Sequence, residues 1–333
     1  MNIKKCLWLF FLCFLSAPSI QAQRNYIDIP NYILCINSYA ESTPWSTRMI
    51  STISEYVQKD PQLALYAEHM NTFMIDNDSI LKEFKNMLSQ KYTQPHPRLL
   101  VLLGSPAFTL RDEYRKLWGD IPIVLCSEEA FQGPHEAYLQ KQAIKLKDRT
   151  PIAQFSKPYN MVFLYSELYL RENVQLINHI KPNIKKFIFI GDKREVNLSA
   201  SLDIQNELRV KNPKIEYQFL TPQKMTTNQL LDSLYRVDPQ TTGILFASWF
   251  YKTTFAGNTS LMSNDHKLIV TTPAPIFTLN MTDITEENGG MIGGYTYNQK
   301  RYSQELVRTI SDILQGKQAR DLPFYMPSDG API

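Results

Sequence analysis

The sequence lacks the motifs on which most catalytic and metal sites depend. It has 12 glycines, and none of them forms a G-x-G-x-x-G, G-x-x-x-x-G-K-[ST] or G-x-S-x-G pattern. Its five histidines stand apart from any H-E-x-x-H or C-x-x-C arrangement, so they predict no metal site. Glu128 and Glu129 are adjacent, and on a strand or helix they would not face one substrate as an acid–base pair. We therefore expect a protein without catalytic residues, cofactor or metal.

An excess of charge of one sign is also missing. The chain has 35 lysines and arginines against 32 aspartates and glutamates, with no basic run or stripe. A nucleic acid partner or an anionic membrane surface is therefore not expected. A hydrophobic share of 44% instead predicts an ordered globular protein of roughly two domains, at about 150 residues each.

Residues 1–22 have the features of a secretory signal peptide. Lys4 and Lys5 precede the apolar run "CLWLFFLCFL", and a Ser/Ala/Pro stretch leads to Ala22, the predicted cleavage position. The apolar run is too short to favour a membrane-spanning helix. The sequence therefore predicts export to the periplasm or beyond.

Cysteine is scarce. After cleavage only Cys35 and Cys126 remain, each near the end of an apolar run. An exported protein permits a disulfide, but two cysteines define no framework. We expect two buried thiols that pack as small apolar groups.

Apolar runs typical of buried strands alternate with segments of helical periodicity along most of the chain. This alternation predicts an α/β fold with mostly parallel sheets. Proline-rich passages at residues 129–159 and 272–276 divide the pattern and suggest crossings between two doubly wound lobes. We predict lobe 1 at residues 23–153 plus 278–320 and lobe 2 at 154–277 plus 321–333, joined by three crossings. The predicted strands are residues 32–37, 63–70, 98–103, 121–126, 160–165, 186–190, 215–220, 243–247, 267–271 and 291–295.

In doubly wound sheets, ligands bind outside the carboxyl ends of the strands. Hydroxyls, aromatics and a few charges recur at these ends, and aromatic faces with a few polar groups suit a small organic ligand. Helix capping explains Ser105 equally well, core packing explains Trp45, and a solvated turn explains Asp192. The candidate ligand-binding residues are Ser38, Tyr39, Trp45, Ser105, Ser127, Tyr165, Asp192, Trp249 and Tyr251.

The expected site has a wall from each lobe. Ser38, Ser105 and Ser127 would supply hydrogen bonds beside Tyr39, while Tyr165, Asp192 and Trp249 would face them. The helix starts after Thr43 and Ser105 could hold an anionic group, since helix N-termini favour negative charge. An amino-acid-like, aromatic or sugar-like ligand fits this arrangement.

Two segments resemble a known family. The opening "ILCINSYAESTPWSTRMISTI" and the closing "GGMIGGYTYNQKRYSQELVRTISDILQGKQARDLP" resemble the periplasmic binding protein type I superfamily, in its ABC-transporter substrate-binding-like branch. In that branch a first strand ends in Ser-Tyr, as at Ser38 and Tyr39, and a Pro-Trp opens the first helix, as at Pro44 and Trp45. The resemblance implies a two-lobed clamp that closes on a small molecule.

Two settings use such a module. One is the extracytoplasmic sensor domain of a Bacteroidetes-type hybrid two-component histidine kinase, and the other is the soluble receptor of an ABC importer. The implied partners are a second copy within a longer membrane receptor, or an ABC permease. The Ser-Tyr and Pro-Trp pairs are more typical of the sensor branch. We also expect the native chain to continue past Ile333.

Overall fold

The computed structural model describes residues 29–75, 77–255, 258–262, 269–280, 284 and 291–333. The predicted signal peptide at residues 1–22 lies outside the described residues. Within those residues, no helix has the length and apolar character needed to span a bilayer.

Strands and helices alternate along the described chain. The strands are β1 (Tyr32–Asn37), β2 (Ala64–His69), β3 (Leu99–Leu103), β4 (Ile123–Ser127), β5 (Phe131–Gln132), β6 (Thr150–Pro151), β7 (Met161–Tyr165), β8 (Lys186–Ile190), β9 (Glu216–Leu220), β10 (Thr242–Phe246), β11 (Tyr251–Phe255), β12 (Asn258–Met262), β13 (Ile276–Thr278), β14 (Tyr295–Thr296) and β15 (Ala331–Pro332). The α-helices are α1 (Pro44–Val57), α2 (Asp78–Lys91), α3 (Ser105–Phe108), α4 (Arg111–Trp118), α5 (His135–Leu139), α6 (Leu170–Ile180), α7 (Glu195–Lys211), α8 (Thr227–Tyr235) and α9 (Gln299–Leu314).

The first lobe is built on a five-stranded parallel sheet of order β2-β1-β3-β4-β7. Its inner strands are apolar along their whole length because both faces are covered, as in "LLVLL" of β3. Helices α2, α3 and α4 pack on one face, and α1 and α9 pack on the other. Cys35 and Cys126 are buried, free thiols in the second of these layers, as predicted.

The second lobe is built on a four-stranded parallel sheet of order β13-β10-β8-β9. Helices α6 and α7 cover one face, and α8 packs with Trp249 on the other. The predicted fold class, two doubly wound α/β lobes, is confirmed.

The predicted boundary at residue 154 is wrong. Strand β7 pairs with β4 along residues 161–165, so it belongs to the first sheet and Tyr165 lies on the first lobe. Residues 129–159 form an arm of the first lobe that includes the strand pair β5–β6, and they are not a crossing. Strand periodicity shows that residues 161–165 are buried but not which strand they pair with, and that explains the error.

The predicted return at residue 278 needs a similar correction. Strand β13 still belongs to the second sheet, and Met291 forms a bridge with Ile276 there. The predicted strand at 267–271 is not observed in its described part, where Ile269 is helical and Val270 and Thr271 form a turn. Helix α9 packs on the first lobe as expected, but Tyr325 also joins that lobe by a bridge with Leu164, although residues 321–333 were expected in lobe 2.

Two chain segments, residues 166–169 and 294–297, connect the lobes, and residues 327–330 lead from the first lobe to the strand pair β14–β15 beside them. We call these three stretches the hinge segments. The buried side chain of Asn173 donates to the carbonyls of Tyr169 and Tyr295 and accepts from the amide of Tyr295. The hydroxyl of Tyr169 donates to the carbonyl of Pro327 at 3.2 Å. A Cβ on Gly294 would lie 2.0 Å from the carbonyl oxygen of Thr278, so this close approach requires glycine.

Candidate functional site

The carboxyl ends of the two sheets face each other, and their side chains meet across the cleft. Tyr39 follows β1 in the first lobe and is 5% exposed. The guanidinium carbon of Arg194, from the loop after β8, lies 5.5 Å from the Tyr39 ring centroid and 4.9 Å from that of Phe250. An arginine of the second lobe is therefore held between an aromatic ring of each lobe.

Asp192 fixes the position of Arg194. The guanidinium donates to both oxygens of Asp192, with its shortest distance 2.9 Å. Asn197 and Ser248 also donate to the fully buried carboxylate, which satisfies its remaining lone pairs. Burial opposes the positive charge, but Asp192 outweighs this effect and raises the pKa of Arg194. The alternative explanation of Asp192 as a solvated turn is wrong, because its carboxylate is fully buried in an ionic network.

Glu128 extends this network in the first lobe. The hydroxyl of Tyr39 donates to its Oε2 at 3.3 Å. Burial raises the pKa of Glu128, while the charge of Arg194 and the hydrogen bond from Tyr39 oppose the shift. We call Tyr39, Glu128, Asp192 and Arg194 the interlobe network.

The three predicted serines lie beneath this surface and bond to the protein itself. Ser105 Oγ and Ser127 Oγ are 2.7 Å apart, and Ser127 Oγ accepts from the amide of Glu129. Ser38 Oγ accepts from the amide of Ala107 in α3 at 2.8 Å. This bond occupies an N–H group at the helix start after Ser105, where an anion was expected. All three hydroxyl groups therefore have hydrogen-bond partners within the protein.

Trp45 lies beside Tyr39, with the two rings edge to face at 5.9 Å. Its indole Nε1 donates to the hydroxyl of Tyr297 at 3.1 Å. Tyr297 belongs to the second hinge segment, so Trp45 connects the aromatic wall of the cleft to the hinge.

Trp249 and Tyr251 are not brought together with Tyr39. Trp249 is 2% exposed in the core of the second lobe, and its Nε1 donates to Thr227 Oγ1 at 3.1 Å. Both residues line a separate cavity of about 590 Å³ beside residues 222–229.

A second cavity, of about 420 Å³, lies between the lobes. It is lined by the ends of β4 and β7, by the first hinge segment and by one side of α7. Tyr165 is the one predicted residue among its lining side chains. We call it the acidic cavity because it carries six carboxyl groups and two guanidinium groups, namely Glu128, Glu129, Glu167, Glu172, Asp203 and Glu207 with Arg149 and Arg171.

The deepest of these carboxyl groups belongs to Glu129. Burial and the charge of Glu195, at the start of α7, raise the pKa of Glu129 well above its usual value. Burial likewise raises the pKa of Glu195 to about 7. Proximity of two carboxyl groups from opposite lobes disfavours the charge of both.

Sequence reasoning missed Glu129, Glu195 and Arg194 as residues of the site. Glu128 and Glu129 were considered only as an acid–base pair. A signal was present, since both glutamates follow the same apolar strand as Ser127, and Arg194 and Glu195 follow Asp192. Strand ends that carry charges on both lobes predict an ionic contact across the cleft.

No protein-family model and no curated protein sequence matches this chain. Solved structures match it across nearly its whole length. A conserved domain protein from Vibrio cholerae is 13% identical, with a TM-score of 0.58 over 91% of each chain. A Streptococcus pneumoniae ABC domain in complex with L-tryptophan is 14% identical, with a TM-score of 0.52 over 90% of this chain and 91% of the other.

A third match is a periplasmic binding protein/LacI transcriptional regulator from Alkaliphilus metalliredigens, complexed with D-xylulofuranose. It is 14% identical, with a TM-score of 0.53 over 90% of this chain and 97% of the other. At sequence identities this low, structural similarity shows that the chains share a fold and shows nothing about function. The chain has the periplasmic binding protein type I architecture.

Proposed function

We propose that this chain is a binding module that closes its two lobes on a small organic ligand and performs no catalysis. The observation that carries this proposal is the interlobe network, in which Arg194 of one lobe lies against Tyr39 of the other. Hinged lobes with a polar and aromatic cleft are a common device for coupling ligand binding to a change of shape. The neighbours bound to L-tryptophan and to D-xylulofuranose support a small ligand in this fold.

We further propose that the module works in the periplasm as the ligand-sensing domain of a two-component histidine kinase. Support comes from the resemblance of the segments that begin at Ile33 and Gly289 to the sensor branch, and from the leader-like residues 1–22. In this setting closure of the lobes is the signal. Any kinase activity would belong to another part of the receptor.

The second candidate is a soluble substrate-binding protein of an ABC importer. The likeness to the Streptococcus pneumoniae ABC domain favours it. Here closure would present the ligand to a permease. The coding sequence after Ile333 separates the two: a membrane span followed by a kinase supports the sensor, and a stop codon supports the receptor.

The binding function itself is tested by thermal denaturation against a panel of sugars, amino acids, carboxylates and amines. A ligand at a hundredfold excess over its Kd stabilises the folded state by about 2.7 kcal/mol. Small-angle scattering with and without that ligand should show a more compact form. Turnover of a panel member, or absence of stabilisation by every member, would contradict the proposal.

A further inference from the structure

The acidic cavity has more negative than positive groups, and its two arginines are already engaged. Arg149 forms a bidentate salt bridge with Asp203, with both distances 2.9 Å. Arg171 pairs with its neighbour Glu172 at 3.1 Å. Within the described part of the chain, the remaining four carboxyl groups, Glu128, Glu129, Glu167 and Glu207, form no salt bridge.

Glu129 provides a second observation, independent of the number of charged groups. The residue is only 5% exposed, yet its Oε1 has no hydrogen-bond partner among the described residues. A buried polar atom without a partner costs about 1–3 kcal/mol. Such an atom, in the wall of an interlobe cavity, is suited to a donor group supplied by a ligand.

The side chains that line the acidic cavity indicate which kind of donor group a ligand would supply. No group of three or more histidine, cysteine, aspartate or glutamate side chains in the described residues is arranged to hold a metal ion. The cavity also has aromatic walls, Tyr165 and Tyr169, and the apolar side of α7 at Val196 and Ala200. Carboxylates beside aromatic and apolar surface suit an organic cation.

We infer that the ligand carries a protonated amine, which Glu129 and Glu128 bind in the acidic cavity beside the ring of Tyr165. This inference rests on the proposed binding function and narrows its ligand class. An ammonium group has three N–H donors and one positive charge, so it satisfies Oε1 of Glu129 and offsets the like charges around it. Because Glu128 also accepts from Tyr39, the bound amine connects the acidic cavity to the interlobe network.

The test uses matched probes that differ in the charged group. Tyramine is compared with 4-(2-hydroxyethyl)phenol, and 1,4-diaminobutane with 1,4-butanediol, by calorimetric titration of the full chain at pH 7.5. We expect at least one amine to bind at least tenfold more tightly than its hydroxyl partner. Binding of neutral or anionic panel members without any amine would overturn the inference and leave the proposed function intact. Absence of binding by every compound would overturn both.

Substitutions in the acidic cavity test whether the amine binds there. Glu129→Gln keeps the size of the side chain and should weaken amine binding at least tenfold, whereas Glu55→Gln, on an exposed site of α1, should not change it. If Glu129→Gln does not fold, the half-buried Glu167 offers Glu167→Gln, with at least a threefold loss expected. Amine affinity that is unchanged in the cavity variants would show that the amine binds elsewhere and would overturn the assignment.

Discussion

Arg149 of the first lobe and Asp203 of the second lobe form a two-pronged salt bridge across the cleft. Arg149 comes from the arm at residues 129–159, which packs against α7 and also places the amide of Ile144 on Ser199 Oγ. The guanidinium lies over the ring of Phe131 at 4.2 Å. The arm therefore joins the two lobes in this structure, and we call its contact with α7 the clasp.

Breaking the clasp should shift the equilibrium between closed and open forms toward the open form. Asp203→Asn removes a partly exposed ion pair that exists only when the lobes meet, at side-chain exposures of 13% and 32%. Such a pair contributes about 1 kcal/mol or less, so the closed-to-open ratio should fall by up to about fivefold. Small-angle scattering of the unliganded protein should show a larger radius of gyration. Asp321→Asn breaks an exposed pair with Lys157 within the first lobe and should leave the radius unchanged.

Tyr39 should contribute to ligand binding mainly through its ring. Tyr39→Ala removes the surface against which Arg194 and Trp45 lie and should weaken binding of an identified ligand by about 1–3 kcal/mol. Tyr39→Phe keeps the ring and loses the bond to Glu128, so its effect should stay below about 1.5 kcal/mol. Titration calorimetry of the two variants measures the difference. Equal losses would show that the hydroxyl dominates.

Trp249 should matter for stability. It is buried in the core of the second lobe, so Trp249→Ala should lower the free energy of unfolding by about 3–5 kcal/mol. Denaturant titration measures this change. The matched control is Tyr235→Ala, at an aromatic side chain that is 53% exposed, with a loss expected below about 1 kcal/mol. A folded, fully stable Trp249→Ala protein with impaired binding would contradict this assignment.

The buried carboxyl groups predict a dependence of stability on pH. Burial raises the folded-state pKa of Glu195 to about 7 and that of Glu129 well above its usual value, against about 4.3 in the unfolded chain. The folded state then binds more protons in this window, so the stability that these two groups contribute is fully present below about pH 4.3. The part contributed by Glu195 is lost as pH rises through about 7. The charged groups that face these two carboxyls are Glu128, Lys141, Arg149, Asp192 and Arg194.

Thermal melting of the unliganded protein between pH 5 and pH 8 measures this effect. Glu195→Gln should flatten the profile, and Glu55→Gln should preserve it. Amine affinity should change in the opposite direction, since an ammonium ion favours the ionised carboxylates. A stability profile that rises toward pH 8 would contradict the burial of these groups as uncharged acids.

Features that depend on a single segment of the chain were predicted correctly from the sequence. The run "LLVLL" in β3 and the free thiols of Cys35 and Cys126 follow from local apolar character. Pairings between distant segments were not accessible in this way. The place of β7 beside β4, and of Tyr325 beside Leu164, depends on which sheet edge is free after the first strands have paired.

The candidate site was likewise predictable from the sequence only in part. The ends of β1 and β8 indicated Tyr39 and Asp192 because parallel strands bring their carboxyl ends to one edge. The structure brings both residues together around Arg194. Trp249 follows a strand end too, but its indole turns into the lobe's own core and bonds Thr227. Whether a side chain at a strand end points to the cleft or to the core depends on the neighbouring loop, and strand periodicity does not specify that loop.

The single amide of Asn173 bonds to backbone groups of Tyr169 and Tyr295, so the first two hinge segments are joined to each other as well as to α6. Segments that share a buried polar anchor bend together, because separate bending would leave that anchor without partners. We therefore expect the lobes to rotate about one shared axis, with little freedom to twist or slide. Opening and closing should be a single relaxation, and a ligand seated at any point of the cleft would drive the same movement.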